Sequence, residues 1–161
     1  MADTSTIGVD RATVDDLDVL VGFEASLFAS DAGAHDLNVD SAWPERSARG
    51  DFERLVEADD CVVLVARDAR GRPIGHLVGY VARAAPSRHP VSFAVLRSIW
   101  VVESDRRRGV AGDLIRVFVD WGRSIGCVEA HVDHYVANAA AAALYERHGF
   151  TPVSTSRSLT L

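Results

Sequence analysis

The sequence predicts an α/β fold in which strands and helices follow the order βααβββαβαβ(β). Three observations lead to this prediction. Short β-branched runs alternate with longer segments whose apolar residues recur at every third or fourth position. No linker rich in Pro, Gly or Ser divides the chain, so residues 1–161 are predicted to form a single domain around one core. A chain of 161 residues buries roughly 68–70 % of its unfolded surface on folding, so it needs neither disulfides nor metals for stability.

The first third of the chain is predicted to contain one strand and two helices. Residues 5–9 have the pattern of a short strand. Thr13 then caps a helix that is expected to end near Phe28. Residues 29–44 show no periodicity and are predicted to form a long loop, of the kind that is more often functional than idle. A second helix is expected from about residue 45 to residue 57.

Three strands are predicted next. Residues 61–66 and 74–81 are apolar runs, and the turn-forming residues 68–73 between them predict an antiparallel hairpin. Residues 90–102 first alternate and then become fully apolar, which is typical of a long strand.

The remainder is predicted as helix, strand, helix and one or two short strands. The first helix covers residues 109–125, and a strand follows at 127–132. The second helix covers 138–148, with Gly149 at its C′ position. Residues 150–161 are expected to supply the final strands. The buried stripe expected on the first of these helices consists of Leu114, Phe118, Trp121 and Ile125.

Composition excludes several classes of protein. The longest apolar run, residues 139–144, is far shorter than the roughly 20 residues of a membrane helix. The acidic N-terminal start lacks the basic region of a secretory signal, so a cytoplasmic protein without membrane attachment is expected. A net charge of −6 disfavours nucleic-acid binding. Cys61 and Cys127 are far apart in apolar stretches and are expected to be buried free thiols on strands.

The distribution of charge is more informative than its sum. Residues 1–60 contain 15 Asp or Glu and 4 Arg, whereas residues 61–161 contain 8 acidic residues and 13 Arg. The first part is therefore suited to a cation and the second to an anion. The alternative is that the acidic helices simply face solvent.

A predicted strand–loop–helix junction over residues 99–112 has the features of an anion site. The first N–H groups of a helix have no partner within the helix, and the helix dipole is positive there. Gly109, Ala111 and Gly112 allow phosphate oxygens to approach the backbone, and residues 106–108 are all Arg. No Gly-Lys-Ser/Thr and no Gly-x-Gly-x-x-Gly is present, so this is neither a P-loop nor a dinucleotide site. The alternative is a glycine-containing helix start beside a solvated Arg cluster.

Two motifs identify a family. Arg106-x-x-Gly109-x-Ala111 is similar to the Arg/Gln-x-x-Gly-x-Gly/Ala signature of the GCN5-related N-acetyltransferases, the GNAT superfamily. Residues 138–150 resemble the second family signature, and the opening residues 9–17 and the hairpin 65–75 are also similar to the family. The resemblance covers nearly the whole chain. It implies a mixed sheet of six to seven strands with about four helices, splayed between the fourth and fifth strands.

The resemblance also implies the co-substrate and the residues that hold it. Acetyl-CoA would bind in the gap of the splayed sheet, with its pantetheine arm along residues 99–101 and its pyrophosphate on the amides of residues 107–112. Tyr145 matches the tyrosine that protonates the leaving thiolate in many members, and no acyl-enzyme is expected. The implied cofactor-binding residues are Ile99, Trp100, Val101, Arg106, Arg107, Arg108, Gly109, Val110, Ala111, Gly112, Asn138 and Tyr145.

The general base stays open. Histone-type members carry a Glu on the long strand, but the matching position here is Val95. Asp133 and His134, at the end of the following strand, are the catalytic candidates, with His131 more often a structural residue and a chain of water molecules as the alternative. His131, Asp133 and His134 form a single short cluster, so no metal site is predicted.

The acceptor is predicted from the acidic part of the chain. In the family the first two helices and their connection cover the acceptor site, and here that region contains Asp31, Asp36, Asp40 and Trp43. Carboxylates and an aromatic ring suit a cationic amine. The predicted activity is acetyl transfer from acetyl-CoA to a primary amine of an aminoglycoside- or polyamine-like small molecule. The alternatives are a protein or peptide N-terminal amine as acceptor, or a non-catalytic acyl-CoA-binding module; a homodimer stays open.

Overall fold

The computed structural model describes residues 7–161. Within this range five strands form one sheet in the order β1-β2-β3-β4-β5. The first three pairings are antiparallel, and β4 pairs with β5 in parallel. The strands are β1 (Gly8–Arg11), β2 (Cys61–Arg67), β3 (Pro73–Arg83), β4 (Ser92–Val101) and β5 (Glu129–Val132).

Helices cover both faces of this sheet. Four helices of nine or more residues lie within the described part of the chain, together with the single turn α2. None of these helices is long and apolar enough to span a membrane. The helices are α1 (Leu17–Leu27), α2 (Gly33–His35), α3 (Arg49–Glu57), α4 (Val110–Ser124) and α5 (Ala139–Arg147).

The α/β class is therefore confirmed, but the predicted six to seven strands are not found. Among the described residues there are five, because residues 150–161 do not pair with the sheet. Beyond Phe150 the apolar side chains Val153, Leu159 and Leu161 are left exposed. The first strand is also shifted: β1 begins at Gly8, while residues 5 and 6 lie outside the described range.

The start of the first helix follows the sequence prediction. The side chain of Thr13 accepts a hydrogen bond from Asp15 N, and the carboxylate of Asp16 accepts one from Thr13 N at 3.0 Å. This reciprocal capping satisfies backbone donors that the first turn leaves without partners. The helical path opens as a 3₁₀ turn over Val14–Asp16 and continues as α1.

The predicted long loop after α1 is wrong in its first part. A π-helical turn over Phe28–Ala32 continues α1 directly into α2, and Asp36 N still donates to Ala32 O at 2.9 Å. Continued backbone hydrogen bonding holds this segment helical despite its lack of apolar periodicity. Only the residues between α2 and the π-helical turn Pro44–Ala48 lack regular structure, and the second turn leads into α3.

Two apolar clusters sandwich the sheet. On one face α4 packs through Leu114 and Phe118 on the strands, and both side chains are fully buried. On the other face α1 and α3 bury Leu20 and Phe52 against β2 and β3. Ile125, expected on the buried stripe of α4, is 42 % exposed because it is the C-cap residue, where the helix has ended.

The two cysteines differ in position. Cys61 begins β2 and is buried, whereas Cys127 is half-buried and precedes β5, so its predicted place on a strand is wrong. Burial raises the pKa of both thiols, which makes them poor nucleophiles at neutral pH.

The feature that creates a site is the separation of β4 from β5. The two strands pair only between Phe93–Leu96 and Glu129–Val132. β4 then continues to Val101 while β5 stops. A β-bulge marks the point of separation: Ser98 lies opposite Val78 and Leu96 opposite Gly79, which leaves Arg97 as an extra residue.

Candidate active site

A cleft of about 1810 Å³ opens where β4 and β5 separate. Pockets for single small ligands measure about 300–1,000 Å³, so this cleft has room for two substrates side by side. One side, the β4–α4 wall, is formed by the residues within 99–112 that line the cleft. The opposite side, the α1–α2 wall, comes from residues 24–43, and α5 lies between them.

The end of β4 presents backbone groups to the cleft. Val102 N donates to Ile74 O at 2.9 Å, which makes Val101 and Gly75 a non-hydrogen-bonded pair of the antiparallel ladder. The N–H and C=O of Val101 therefore point away from β3, and the same alternation turns those of Ile99 the same way. The backbone of Trp100 faces β3 instead, and its side chain contributes to the cleft wall.

The loop between β4 and α4 has the geometry of an anion cradle. Arg107 has φ +62° and Gly109 has φ +90°, left-handed conformations that turn successive amides in a common direction. No side chain caps the N-terminus of α4, so the N–H groups of Val110, Ala111 and Gly112 are not satisfied by a cap. All three residues line the cleft. This arrangement fits a diphosphate.

The three consecutive arginines have different environments. The guanidinium of Arg106 stacks over the ring of Trp100 at 4.4 Å, and its Nε donates to Val101 O at 3.0 Å. Arg107 lines the cleft. Arg108 is absent from the lining and pairs with the buried carboxylate of Asp105 at 2.7 Å. Two of the arginines thus belong to the β4–α4 wall, while the third anchors the loop.

Asp105 is the anchor of that loop. Burial by itself would raise its pKa, but hydrogen bonds from Ser104 and Arg72, with the charges of Arg72 and Arg108, lower the pKa below its usual value. The carboxylate is 2 % exposed and remains ionised at neutral pH. It holds the loop to the β2–β3 hairpin through Arg72.

Tyr145 on α5 projects into the cleft from a buried position. It is 7 % exposed, and its ring packs against Phe150 and His134. Burial, with a smaller contribution from the charge of Asp31, raises the pKa of its phenol to about 12. The hydroxyl is therefore a proton donor throughout the neutral and mildly alkaline range.

Asn138 connects the start of α5 to the α1–α2 wall. Its Oδ1 caps α5 by accepting from Ala141 N at 3.0 Å, and its Nδ2 donates to Asp31 Oδ1 at 2.8 Å. A second contact lies beside this one, where His35 stacks on Tyr135 with ring centroids 5.2 Å apart. The α1–α2 wall is thereby attached to the start of α5.

The predicted acceptor residues do not form one cluster. Asp31, Asp40 and Trp43 line the cleft, whereas Asp36 does not. Asp40 is paired with Arg46, which lowers the pKa of its carboxyl group. Asp36 accepts from Asn38 N at 2.9 Å within its own turn. Trp43 stacks on Phe28 in the wall, with ring centroids 5.6 Å apart.

The predicted base candidates lie on the α5 side of the cleft. Asp133 and His134 both line it and are exposed. His134 Nδ1 lies 3.0 Å from Tyr135 O. His131 instead stacks on Phe93 and places Nε2 2.8 Å from Glu129, in keeping with a structural role.

A buried polar cluster at the base of the cleft was not predicted. Glu24 is 3 % exposed and lines the cleft from α1. Its Oε2 lies 3.1 Å from Nε2 of the fully buried His76 and 3.3 Å from the hydroxyl of Ser98. One signal in the sequence could have found it: Glu24 follows Leu20 by four residues, which places a carboxylate on the buried stripe of α1.

Comparison with known proteins identifies the family. The model of the acetyltransferase (GNAT) family matches residues 30–150, more than half of the chain. The chain therefore belongs to this family. It is an acetyl-CoA-dependent N-acetyltransferase, and acetyl-CoA is its co-substrate.

Relatives and solved structures agree with this assignment. The aminoglycoside N(6')-acetyltransferase type 1 of Klebsiella aerogenes is 27 % identical over 121 residues, which cover 71 % of this chain and 80 % of that protein. A mutant of a Bacillus halodurans protein superposes with a TM-score of 0.87 at 18 % identity, covering 96 % of this chain and 99 % of the other. The complex of AAC(6')-Iy with a bisubstrate analogue, CoA-S-monomethyl-acetylneamine, gives a TM-score of 0.78 at 22 % identity, covering 98 % and 99 %. The structural likenesses establish the fold.

Proposed function

We propose that this enzyme acetylates a primary amine of a small, cationic, aminoglycoside-like molecule. The observation that supports this most directly is one shared cleft, in which a β4–α4 wall rich in arginine and backbone amides faces an acidic and aromatic α1–α2 wall. An anionic donor and a cationic acceptor can therefore lie side by side and react directly, without a covalent enzyme intermediate.

The β4–α4 wall supplies the groups for the donor. The outward-facing N–H groups of Ile99 and Val101 and the C=O of Ile99 would bind the pantetheine arm as an added strand, while the C=O of Val101 accepts from Arg106. The amides of Val110, Ala111 and Gly112, with Arg106 and Arg107, would hold the pyrophosphate. Arg108, predicted to bind the cofactor directly, is proposed to act indirectly by anchoring the loop, because its guanidinium holds Asp105.

The N–H group of Val101 is also proposed to stabilise the oxyanion that forms in the reaction. When an amine attacks the acetyl carbonyl, negative charge develops on the carbonyl oxygen. An N–H group that already points into the cleft stabilises that charge without reorganisation. Val101 N–H has this orientation because of its place in the ladder.

Tyr145 is proposed to assist departure of the thiolate. An alkyl thiol has a pKa near ~8.5, so complete transfer of a proton from a phenol with a pKa of about 12 costs roughly 5 kcal/mol. Hydrogen-bond donation to the developing thiolate avoids that cost. The environment of Tyr145 thus favours a role as hydrogen-bond donor, with the thiol taking its proton finally from solvent.

The α1–α2 wall supplies the acceptor site. Asp31 and Trp43 both line the cleft, and a carboxylate beside an aromatic face suits an ammonium group. Two relatives bear on the acceptor class, since both are named as aminoglycoside acetyltransferases. Asp40, already paired with Arg46, is proposed to contribute more weakly.

The test is a thiol-release assay with acetyl-CoA and a panel of amines. The panel contains neamine, spermidine, lysine and a short peptide, and a Tyr145→Phe variant is assayed beside the wild type. Fast release with neamine or spermidine, reduced about 10- to 100-fold in kcat by the variant, supports the proposal. Neamine is compared with its fully acetylated form to show that a free amine is the acceptor.

Two outcomes would contradict this acceptor class. Release with the peptide alone would assign the enzyme to protein or peptide N-terminal amines. Tight acetyl-CoA binding with no release for any amine would favour an acyl-CoA-binding module. Calorimetric titration with acetyl-CoA separates the second outcome from a misfolded preparation.

A further inference from the structure

The carboxylate of Glu24 occupies an unusual place for a charged group. Glu24 comes from α1, its side chain is 4 % exposed, and it lines the cleft directly beside β4. Buried charges are costly unless they are paired or have a function at that position. The protein has therefore built a specific environment around this carboxylate.

The β-bulge on β4 creates that environment. On β3, His76 and Val78 face the side of the sheet covered by α1 and α3. Ser98 lies opposite Val78 and shares its face. Because Arg97 is the extra residue of the bulge, its side chain reaches the same face and lies near Glu24.

The two oxygens of Glu24 have different surroundings. Oε2 is held by Nε2 of His76 at 3.1 Å and by the hydroxyl of Ser98 at 3.3 Å. Oε1 has no hydrogen bond to another described residue, and its nearest cation is Arg97 at 3.8 Å. Oε1 is therefore the oxygen that can accept a hydrogen bond from a molecule in the cleft.

The charged groups linked to Glu24 are of both signs. His76 Nδ1 is buried without a partner, so the neutral tautomer that donates from Nε2 is the arrangement that leaves no buried N–H orphaned. Arg97 from β4 is the cation nearest to Glu24, and it is shared with Asp51 from α3 at 2.8 Å. Asp51 also pairs with Arg54 at 2.8 Å, whereas Oε1 of Glu24 has only the more distant Arg97, at 3.8 Å, among the described residues.

We propose that Glu24 binds the ammonium group of the acceptor through Oε1 and takes its proton before attack on the thioester. This inference rests on the proposed function. No residue of β4 is acidic, and the carboxylate that both touches this strand and lines the cleft comes from α1. His76 and Ser98 are positioning residues that fix the carboxylate by binding Oε2.

The ammonium group gives one proton to Glu24 and becomes a neutral amine. Its lone pair forms the C–N bond with the acetyl carbon, the C–S bond breaks, and the electron pair leaves with the thiolate. The nitrogen loses its second proton, which accounts for the proton taken up by the thiolate, and it keeps the third in the amide. Glu24 returns its proton to solvent through the open cleft.

Glu24→Gln tests the proposal, with neamine and acetyl-CoA as substrates. Glutamine retains the size of the side chain and an acceptor for His76 and Ser98 but cannot take a proton. At pH 7 we expect kcat/KM for neamine to fall by about 100-fold or more, with the Kd for acetyl-CoA changed less than twofold. The deficit should shrink to below about tenfold near pH 9.5, because the neutral fraction of an amine with a pKa of about 10 is then a few hundred times larger than at pH 7.

Asp51→Asn is the matched control. It removes the other carboxylate that binds Arg97 but lies outside the cleft lining, so kcat/KM for neamine should change less than about threefold. His76→Phe, which keeps a ring between Phe23 and Phe52 but removes the donor, should lower kcat and retain acetyl-CoA binding. His76→Gln, which restores a donor, should recover part of the loss.

The outcomes separate this inference from the proposed function. Wild-type transfer to neamine with an equal rate in Glu24→Gln would overturn the role of Glu24 and leave the function intact. A deficit that stays constant from pH 7 to pH 9.5 would likewise overturn the proton transfer. No transfer by the wild type to any amine would overturn both. Acetyl-CoA binding and the unfolding temperature of each variant show that it is folded.

Discussion

The two walls of the cleft are built in different ways. The β4–α4 wall offers mainly backbone groups, arranged by a strand edge, two left-handed residues and a helix start within residues 99–112. The α1–α2 wall offers side chains, and its buried carboxylate is held by partners 52 and 74 residues away in sequence. Under the proposed function, the first wall would bind the part that acyl-CoA donors have in common. The second would determine which acceptor enters.

Tyr145 on α5, between the two walls, is affected by a charge from one of them. Burial on α5 raises its pKa to about 12, and the charge of Asp31 from the α1–α2 wall adds to this. The folded-state pKa lies above the ordinary value of about 10. The contribution of Tyr145 to the free energy of unfolding is therefore fully present below pH 10 and is lost as pH rises towards 12.

The expected loss over that pH range is about 3 kcal/mol. Denaturant unfolding at pH 9 and pH 12 measures it, with Tyr145→Phe as the control that lacks the ionisation. Absorbance of tyrosinate near 295 nm should place the ionisation of Tyr145 lower in Asp31→Asn than in the wild type. An unchanged titration would show that the charge of Asp31 does not affect Tyr145.

Gly109→Val should damage the β4–α4 wall without removing any side chain. Valine at φ +90° is strained by about 1–3 kcal/mol, and relief of that strain turns the amides of the loop. Affinity for acetyl-CoA should fall by about 10- to 100-fold in calorimetry.

Gly71→Val is the matched control for this substitution. Gly71 has φ +78° in the turn between β2 and β3 and is equally open, so the strain is similar but remote from the cleft. Its acetyl-CoA affinity should stay within about twofold of wild type. A similar loss of affinity in both variants would mean that general destabilisation, rather than loop geometry, is responsible.

The arginines of the loop should separate binding from anchoring. Arg106→Leu removes a cation of the cleft wall, and affinity for acetyl-CoA should fall about tenfold at low salt, with a smaller difference at high salt. Arg108→Leu should leave that affinity nearly unchanged and lower the unfolding temperature, because Asp105 loses a partner. The reverse result would exchange the roles of the two residues.

Asn138→Ala should have the smallest effect, a loss of about 1 kcal/mol in unfolding free energy. The substitution removes the cap of α5 and the donor to Asp31. Asn38→Ala, the same substitution in an exposed turn, should change stability by less than about 0.5 kcal/mol. Equal effects would show that the contact between α5 and the α1–α2 wall contributes nothing to stability.

The sequence predicts more of the β4–α4 wall than of the α1–α2 wall. The helix starts at Thr13 and Gly109, the hairpin and the class of fold follow from local rules, and the structure reproduces them. The final strands over residues 150–161 were wrong, because composition does not show whether an edge accepts another strand. The predicted acidic cluster of acceptor residues was split, since Asp36 and Asp40 have local partners.

The sequence by itself determined the class of fold, the family and the strand–loop–helix junction at residues 99–112. Each depends on residues close together in the chain, where capping, glycine conformation and apolar period act locally. Only the tertiary structure decided the position of Glu24 beside His76 and Ser98, the contact of Asn138 with Asp31, and the raised pKa of Tyr145. These depend on burial and on contacts between distant segments, which exist only once the sheet and helices have packed together.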